Sequence, residues 1–368
     1  MPLQLGIIGL PQVGKSTIFN ALTAAGAEMV NYARADSKPN LGVAKVPDGR
    51  LKILNEFIKT DRIVPATIQI VDVPGLVRGA STGEGLGNKF LSHVRDMDAL
   101  IHVVRCFDSQ DVAHVEGSID PVRDVETVQA ELILADLDQV SNSLDKAQRA
   151  ARGGEKEAVA RAEILKRAFD LLNDLKPVRD LQLTPDQAGI VKSMGMLTAK
   201  KQLIVANVGE ADVTGDSERV KKLREHGVKE GAPVVAVCGK LEAEIAELSD
   251  EDRGEMLAGL NLKEPALAAL AREAYKLLGL HSFLTAGPME IRAWTIPIGA
   301  KAPQAAGAVH SDLERSFIKA EVYGVPDLQQ FKTEAAIKQH GKMRLEGKEY
   351  VVRDGDVIHF QAGLAGRK

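Results

Sequence analysis

Cysteine is scarce in this 368-residue sequence, which holds only Cys106 and Cys238, each close behind an apolar run. They form no CxxC pair, and no histidines cluster at metal-ligand spacing, so neither a disulfide framework nor a zinc site organises the chain. Long apolar runs are missing too. None approaches the roughly 20 residues that cross a bilayer, and the start, Met1-Pro2-Leu3-Gln4-Leu5, lacks the basic residues and long apolar stretch of a signal peptide. A cytoplasmic protein with no membrane partner is expected. Strong charge of either sign is also absent: the formal net charge of −4 gives no global pull toward nucleic acid. No sequence-specific DNA partner is expected. There is no long-period repeat and no low-complexity tail.

What is present suits a soluble globular protein, with 45% hydrophobic and 27% charged residues and a length that implies two or three domains. Short apolar runs at Leu3–Ile8, Thr67–Val71, Ala99–Val104, Leu203–Ala206 and Val234–Val237 are each followed by polar or glycine-containing loops, the pattern of buried parallel strands. Helical stretches lie between them. The expected fold is α/β: a doubly wound sheet whose functional loops follow the strands. From about Pro121 to Lys200, apolar positions at helical spacing form two stripes separated by Gly153-Gly154, which predicts an inserted antiparallel helical hairpin. Thr184-Pro185-Asp186 then opens a short helix ending near Gly195. From about Ser282 the pattern shortens into strands such as Glu290–Ile296 and Lys348–Val352, with Asp354-Gly355-Asp356 turning into Val357–Phe360. The expected domains are 1–120 with 201–281, a helical insert 121–200, and a strand-rich domain 282–368.

Gly9-Leu10-Pro11-Gln12-Val13-Gly14-Lys15-Ser16 completes a phosphate-binding loop between a strand and a helix. Its glycines let backbone N–H groups converge on phosphate oxygens, and the helix adds its positive end. Gln12, Val13, Gly14 and Thr17 are expected to frame the phosphates. Lys15 reaches the β- and γ-phosphates as a catalytic cation, and Ser16 places its hydroxyl on Mg²⁺. At the end of the second long strand, Asp72 is expected to hold Mg²⁺ through water and the Gly75 N–H to sense the γ-phosphate. The stretch Gly79–Gly87 reads as a switch. After the fourth strand, Asn207-Val208-Gly209-Glu210 stands where guanine-specific proteins carry Asn-Lys-x-Asp. Glu210 is one methylene longer and Val208 replaces the lysine, which predicts a shift toward adenine, with Asn207 or backbone carbonyls meeting its amine. Cys238, Gly239 and Lys240 are placed to close the base pocket with backbone groups. ATP is the expected substrate, with GTP weaker.

The run Asp72-Val-Pro-Gly-Leu-Val-Arg-Gly-Ala-Ser-Thr-Gly-Glu-Gly-Leu-Gly-Asn-Lys-Phe-Leu resembles the Obg-like P-loop proteins. Together with Asn207-Val-Gly-Glu, Cys238-Gly-Lys-Leu-Glu-Ala-Glu, Arg292-Ala-Trp-Thr-Ile-Pro and Leu345-Glu-Gly-Lys-Glu-Tyr-Val, it is similar to the YchF family over essentially the whole chain. The resemblance implies a G domain, a helical hairpin and a C-terminal β-grasp (TGS-like) domain. It also implies an ATPase of slow intrinsic turnover that associates with ribosomes.

Two positions depart from the family. Where it usually carries Phe-Cys-Thr in switch I, this chain has Arg34-Ala35-Asp36; Asp36 either ligates Mg²⁺ directly or repels the triphosphate. Gln12 replaces the usual asparagine of the phosphate loop. In Ras-like enzymes a glutamine after Asp-x-x-Gly orients the attacking water, but Leu76 stands there and cannot polarise it. The resemblance points instead to His114 in the loop after the third strand. Lys146, Arg149, Arg152, Lys156 and Arg161 cluster near the hairpin tip, interrupted by Glu155 and Glu157. That cluster is either a solvated face or a contact for ribosomal RNA. Two other readings stay open: a GTP-dependent switch, and a nucleotide-binding scaffold with little hydrolysis.

Overall fold

The computed structural model describes residues 3–24, 40–73, 86–109 and 114–363. Asp36, Gly75, Leu76 and most of the 79–87 loop lie outside the described residues. The strands are β1 (Gln4–Ile8), β2 (Asn40–Val46), β3 (Ile63–Val64), β4 (Ala66–Asp72), β5 (Ala99–Arg105), β6 (Lys201–Asn207), β7 (Val234–Val237), β8 (Leu280–Ala286), β9 (Ile291–Pro297), β10 (Phe317–Gly324), β11 (Arg344–Glu346) and β12 (Asp356–Ala362). The chain divides into two compact units, one of residues 1–43 and 69–274, the other of residues 44–68 and 275–368.

The first unit is built on a sheet in the order β2-β4-β1-β5-β6-β7, in which β4, β1, β5, β6 and β7 run parallel. The five apolar runs read from the sequence are these five parallel strands; β2 carries no such run and was not foreseen. Every residue of β5 is buried, as a central parallel strand covered on both faces requires. Register brings the carboxyl ends together. Ile7 lies beside Asp72, Arg105 beside Asn207 and Asn207 beside Val237. The loops after β1, β4, β6 and β7 therefore emerge at one edge of the sheet, where open α/β sheets bind ligands.

The inserted hairpin consists of the helices Pro121–Ala151 and Lys156–Asn173. Asp120 caps the first, accepting from the Arg123 N–H, and Pro121 opens it. Val140, Leu144 and Ala147 pack against Ala162, Leu165, Ala168 and Leu172. Burying each large aliphatic side chain stabilises by about 1.5–3 kcal/mol, so packing rather than helix propensity holds the hairpin. Asp136, fully buried, ties the end of the insert back to its first helix. It accepts from the N–H groups of Leu197 and Thr198 (2.9 and 2.8 Å) and from the Thr198 hydroxyl (2.7 Å). The short helix is Pro185–Ser193, with a Thr184/Gln187 capping box and Gly195 beyond its end at φ 63°.

The second unit carries a mixed sheet in the order β11-β10-β12-β8-β9-β3. Phe283, Phe317, Val322 and Ile358 form its core with Ala302, Ala305 and Ala306 of the helix Ala302–Val309. Phe360 meets Phe283 edge-on at 5.6 Å. The segment Lys348–Val352 departs from its expected strand. The Tyr350 N–H turns back to Gly347, while the Tyr350 carbonyl and Val352 N–H pair with Ala302 and Ala300, so its backbone is satisfied by a loop and one bridge at Val351. Within this unit Arg50, in the helix Gly49–Phe57, grips Asp354 at 2.9 and 3.1 Å.

Candidate nucleotide-binding site

The loop between β1 and the helix Lys15–Ala24 is shaped by backbone that side chains would obstruct. Gly9 and Gly14 take φ 146° and 95°. A Cβ would lie 2.3 Å from the Val103 carbonyl at Gly9 and 2.2 Å from the Asn207 amide nitrogen at Gly14. Gln12 adopts φ 61°, a left-handed conformation that costs an L-residue about 1 kcal/mol. Val13 is buried, while Ser16 and Thr17 stay exposed in the first helical turn. The early N–H groups of that helix have no intrahelical partner and face the loop, which is the basis of anion binding at helix starts.

Lys15 is almost buried. Its Nζ donates to the carbonyls of Gly9 (3.1 Å) and Leu10 (2.7 Å), and burial pushes its pKa down to about 8 against the attraction of Asp72. The Ser16 hydroxyl donates to the Asp72 carboxylate at 2.8 Å. Burial holds Asp72 above the usual carboxylate range, opposed by Ser16 and Lys15. A hydroxyl and a carboxylate so close, beside a lysine kept over the loop by two carbonyls, offer hard oxygen donors to a divalent cation and a cation to phosphate.

Asn207 joins the two ends of the site. Its amide nitrogen donates to the Val13 carbonyl (2.8 Å), and its amide oxygen accepts from the Gly239 N–H (3.1 Å). With only 5% of its surface exposed, Asn207 spends both amide ends on protein backbone, tying the phosphate loop to the loop after β7. Val208 and Cys238 turn inward into one apolar cluster with Val104, Val220 and Leu241. Burial raises the Cys238 thiol pKa. Glu210 and Lys240 remain outside, joined by an ion pair at 2.6 Å. The sequence pointed to the backbone of Lys240 and not to this side-chain partnership, which no spacing rule reveals.

His114 has two partners of its own. Its Nε2 lies 2.8 Å from Asp124 in the first turn of the helix Pro121–Ala151, and its Nδ1 accepts from the Glu116 N–H at 3.1 Å. A ring whose Nδ1 accepts carries its proton on Nε2, so both nitrogens already have protein partners. The sequence reading named His114 but missed Asp124; its only signal was an acidic residue in a capped first turn.

Family models match two stretches of the chain. One, described as a 50S ribosome-binding GTPase, covers residues 4–142, and a YchF GTPase C-terminal model, described as a protein of unknown function, covers residues 280–363. The curated "Ribosome-binding ATPase YchF" of Pasteurella multocida is 47% identical over 361 residues, spanning 98% of this chain and 99% of that protein. The protein of the same name from Bacillus subtilis is 47% identical over 363 residues, with the same coverage. A solved structure of the Schizosaccharomyces pombe YchF GTPase is 34% identical and superposes with a TM-score of 0.85, covering 98% of this chain and 97% of that one. On sequence along its whole length and on fold, the chain belongs to the YchF family.

Proposed function

We propose that this chain is an Obg-like ATPase that binds ATP with Mg²⁺ at the Lys15–Ser16–Asp72 cradle and works in association with the ribosome. The observation that carries the reading is the 2.8 Å contact of Ser16 with Asp72 beside the loop-bound Lys15. When bound, Mg²⁺ supplies charge neutralisation at the β- and γ-phosphate oxygens. Ser16 and Asp72 hold it, with Asp36 as a further candidate carboxylate. Gly14, Val13 and the backbone around Gln12 and Thr17 bind phosphate. Lys15 exchanges its two carbonyl partners for phosphate oxygens, and Gly75 reports on the γ-phosphate.

At the other end, Asn207 fixes the base loop, Val208 and Cys238 anchor it in the core, and Gly239 opens the following helix. Glu210, one methylene longer than the usual aspartate and joined to Lys240, meets guanine less well, so GTP binds more weakly. His114 orients the attacking water in place of the missing glutamine, and to do so it leaves Asp124. The division of labour follows the expected domains, apart from residues 44–68, which belong to the second compact unit: 1–120 with 201–281 for nucleotide, 121–200 as helical insert, 282–368 as the β-grasp domain. A ribosome-associated protein would act in the cytoplasm. No described helix is long and apolar enough to cross a membrane. The test is paired: affinity for ATP and GTP, then turnover with and without purified ribosomes. ATP preference and faster turnover with ribosomes support the reading, while tight binding with no turnover in either condition favours a scaffold.

A further inference from the structure

We propose that Lys240 sets purine selectivity, by pairing with Glu210 and turning an edge that only accepts hydrogen bonds into one that also donates them. The inference rests on the reading that a purine base lies beside Asn207–Glu210. Glu210 opens the short turn Glu210–Asp212 after β6, and Lys240 sits in the first turn of the helix Gly239–Glu247 after β7. The two loops are held in fixed relation. Asn207 receives the Gly239 N–H, the Val208 N–H bonds the Val237 carbonyl, and Val208 and Cys238 share one core. Across this frame Lys240 Nζ meets Glu210 Oε1 at 2.6 Å.

Both side chains are exposed, 74% and 58%, so the pair does little for stability. Its consequence lies in what it shows a ligand. A lone carboxylate is acceptor-only and suits guanine, which offers N1–H and an exocyclic amine on one edge; the same carboxylate repels the adenine N1 lone pair. Ion pairing occupies one of the ammonium hydrogens and leaves two free. The paired lysine therefore donates toward adenine N1 and opposes guanine N1–H, and its charge offsets that of Glu210, which keeps Oε2 as an acceptor.

The test is equilibrium titration of ATP and of GTP into the wild-type chain, Lys240→Met, Lys240→Arg and the double variant Lys240→Met/Glu210→Gln. Methionine keeps an apolar stem of similar reach without charge. The ATP-to-GTP affinity ratio should fall about tenfold in Lys240→Met, chiefly because GTP binds better, the scale of one reversed hydrogen-bond contact. Lys240→Arg should keep the wild-type ratio, and the double variant should lose the gain in GTP affinity. A Lys240→Met ratio within about twofold of wild type, with ATP still bound, overturns the inference. A wild-type chain that binds neither nucleotide overturns the site reading beneath it.

Discussion

His114 and Asp124 stand 2.8 Å apart with only 5% and 2% of their side chains exposed, and the second ring nitrogen accepts from Glu116. A histidine in that setting has no nitrogen left for water. Its use in hydrolysis therefore requires the ring to leave the carboxylate. We expect His114→Ala to lower single-turnover ATP hydrolysis by about 100-fold, within the usual range for a general acid–base group, with ATP affinity little changed. Equal hydrolysis by the two proteins removes His114 from the mechanism.

Asn207 predicts a different signature. Replacing it with alanine strands the Val13 carbonyl and the Gly239 N–H, each costing about 1–3 kcal/mol when left buried and unpaired. Affinity should fall for ATP and GTP alike, because the loss is in the frame and not in base choice. A change confined to one nucleotide in parallel titrations would place Asn207 on the base instead.

For the metal, Ser16→Ala removes one hard oxygen and the hydrogen bond to Asp72. Its ATP binding should respond much less to added Mg²⁺ than that of the wild type. An unchanged Mg²⁺ dependence in calorimetric titration would show that Ser16 is not a ligand.

In the second unit the Glu334 carboxylate accepts from His359 Nε2 (2.8 Å) and from the Tyr323 hydroxyl (2.6 Å). The bond to Glu334 raises the His359 pKa above its ordinary 6.5, and the bond from His359 lowers that of Glu334 below its ordinary 4.5. A raised histidine pKa stabilises the fold fully below about pH 6.5 and stops doing so as pH rises through the folded value; the depressed glutamate value stabilises above about pH 4.5 and is lost on further acidification. The pair is thus at full strength between those limits. Both side chains are 37% exposed, so the effect stays below about 1 kcal/mol. Trp294, the single tryptophan, lies on β9 and reports on this unit. Urea unfolding followed by its fluorescence should show wild type losing more stability than His359→Gln between about pH 6 and pH 8.5. Equal losses contradict the assignment.

Much of this was legible in the residues themselves. The five parallel strands were readable because strands covered on both faces must be apolar throughout, and the phosphate loop because its glycines stand where a Cβ would collide, Gly9 with the Val103 carbonyl and Gly14 with the Asn207 amide. The capping box at Thr184 was equally local. What escaped depends on distant partners. Nothing in Lys348–Val352 shows that its backbone will pair with Ala300 and Ala302, and nothing in Gly49–Phe57 announces that Arg50 will grip Asp354, 304 positions away. Asn207 was recognised by its motif, yet its double tie to Val13 and Gly239 is set by strand register.

The central claim is that Lys15, Ser16 and Asp72 together form a cradle for a magnesium-bound triphosphate. Its most direct test is calorimetric titration of ATP into the wild-type chain and Lys15→Met, each with Mg²⁺ and with a chelator. Wild-type binding should weaken by at least about tenfold on chelation and be lost in Lys15→Met. ATP binding of equal strength in all four titrations would contradict it.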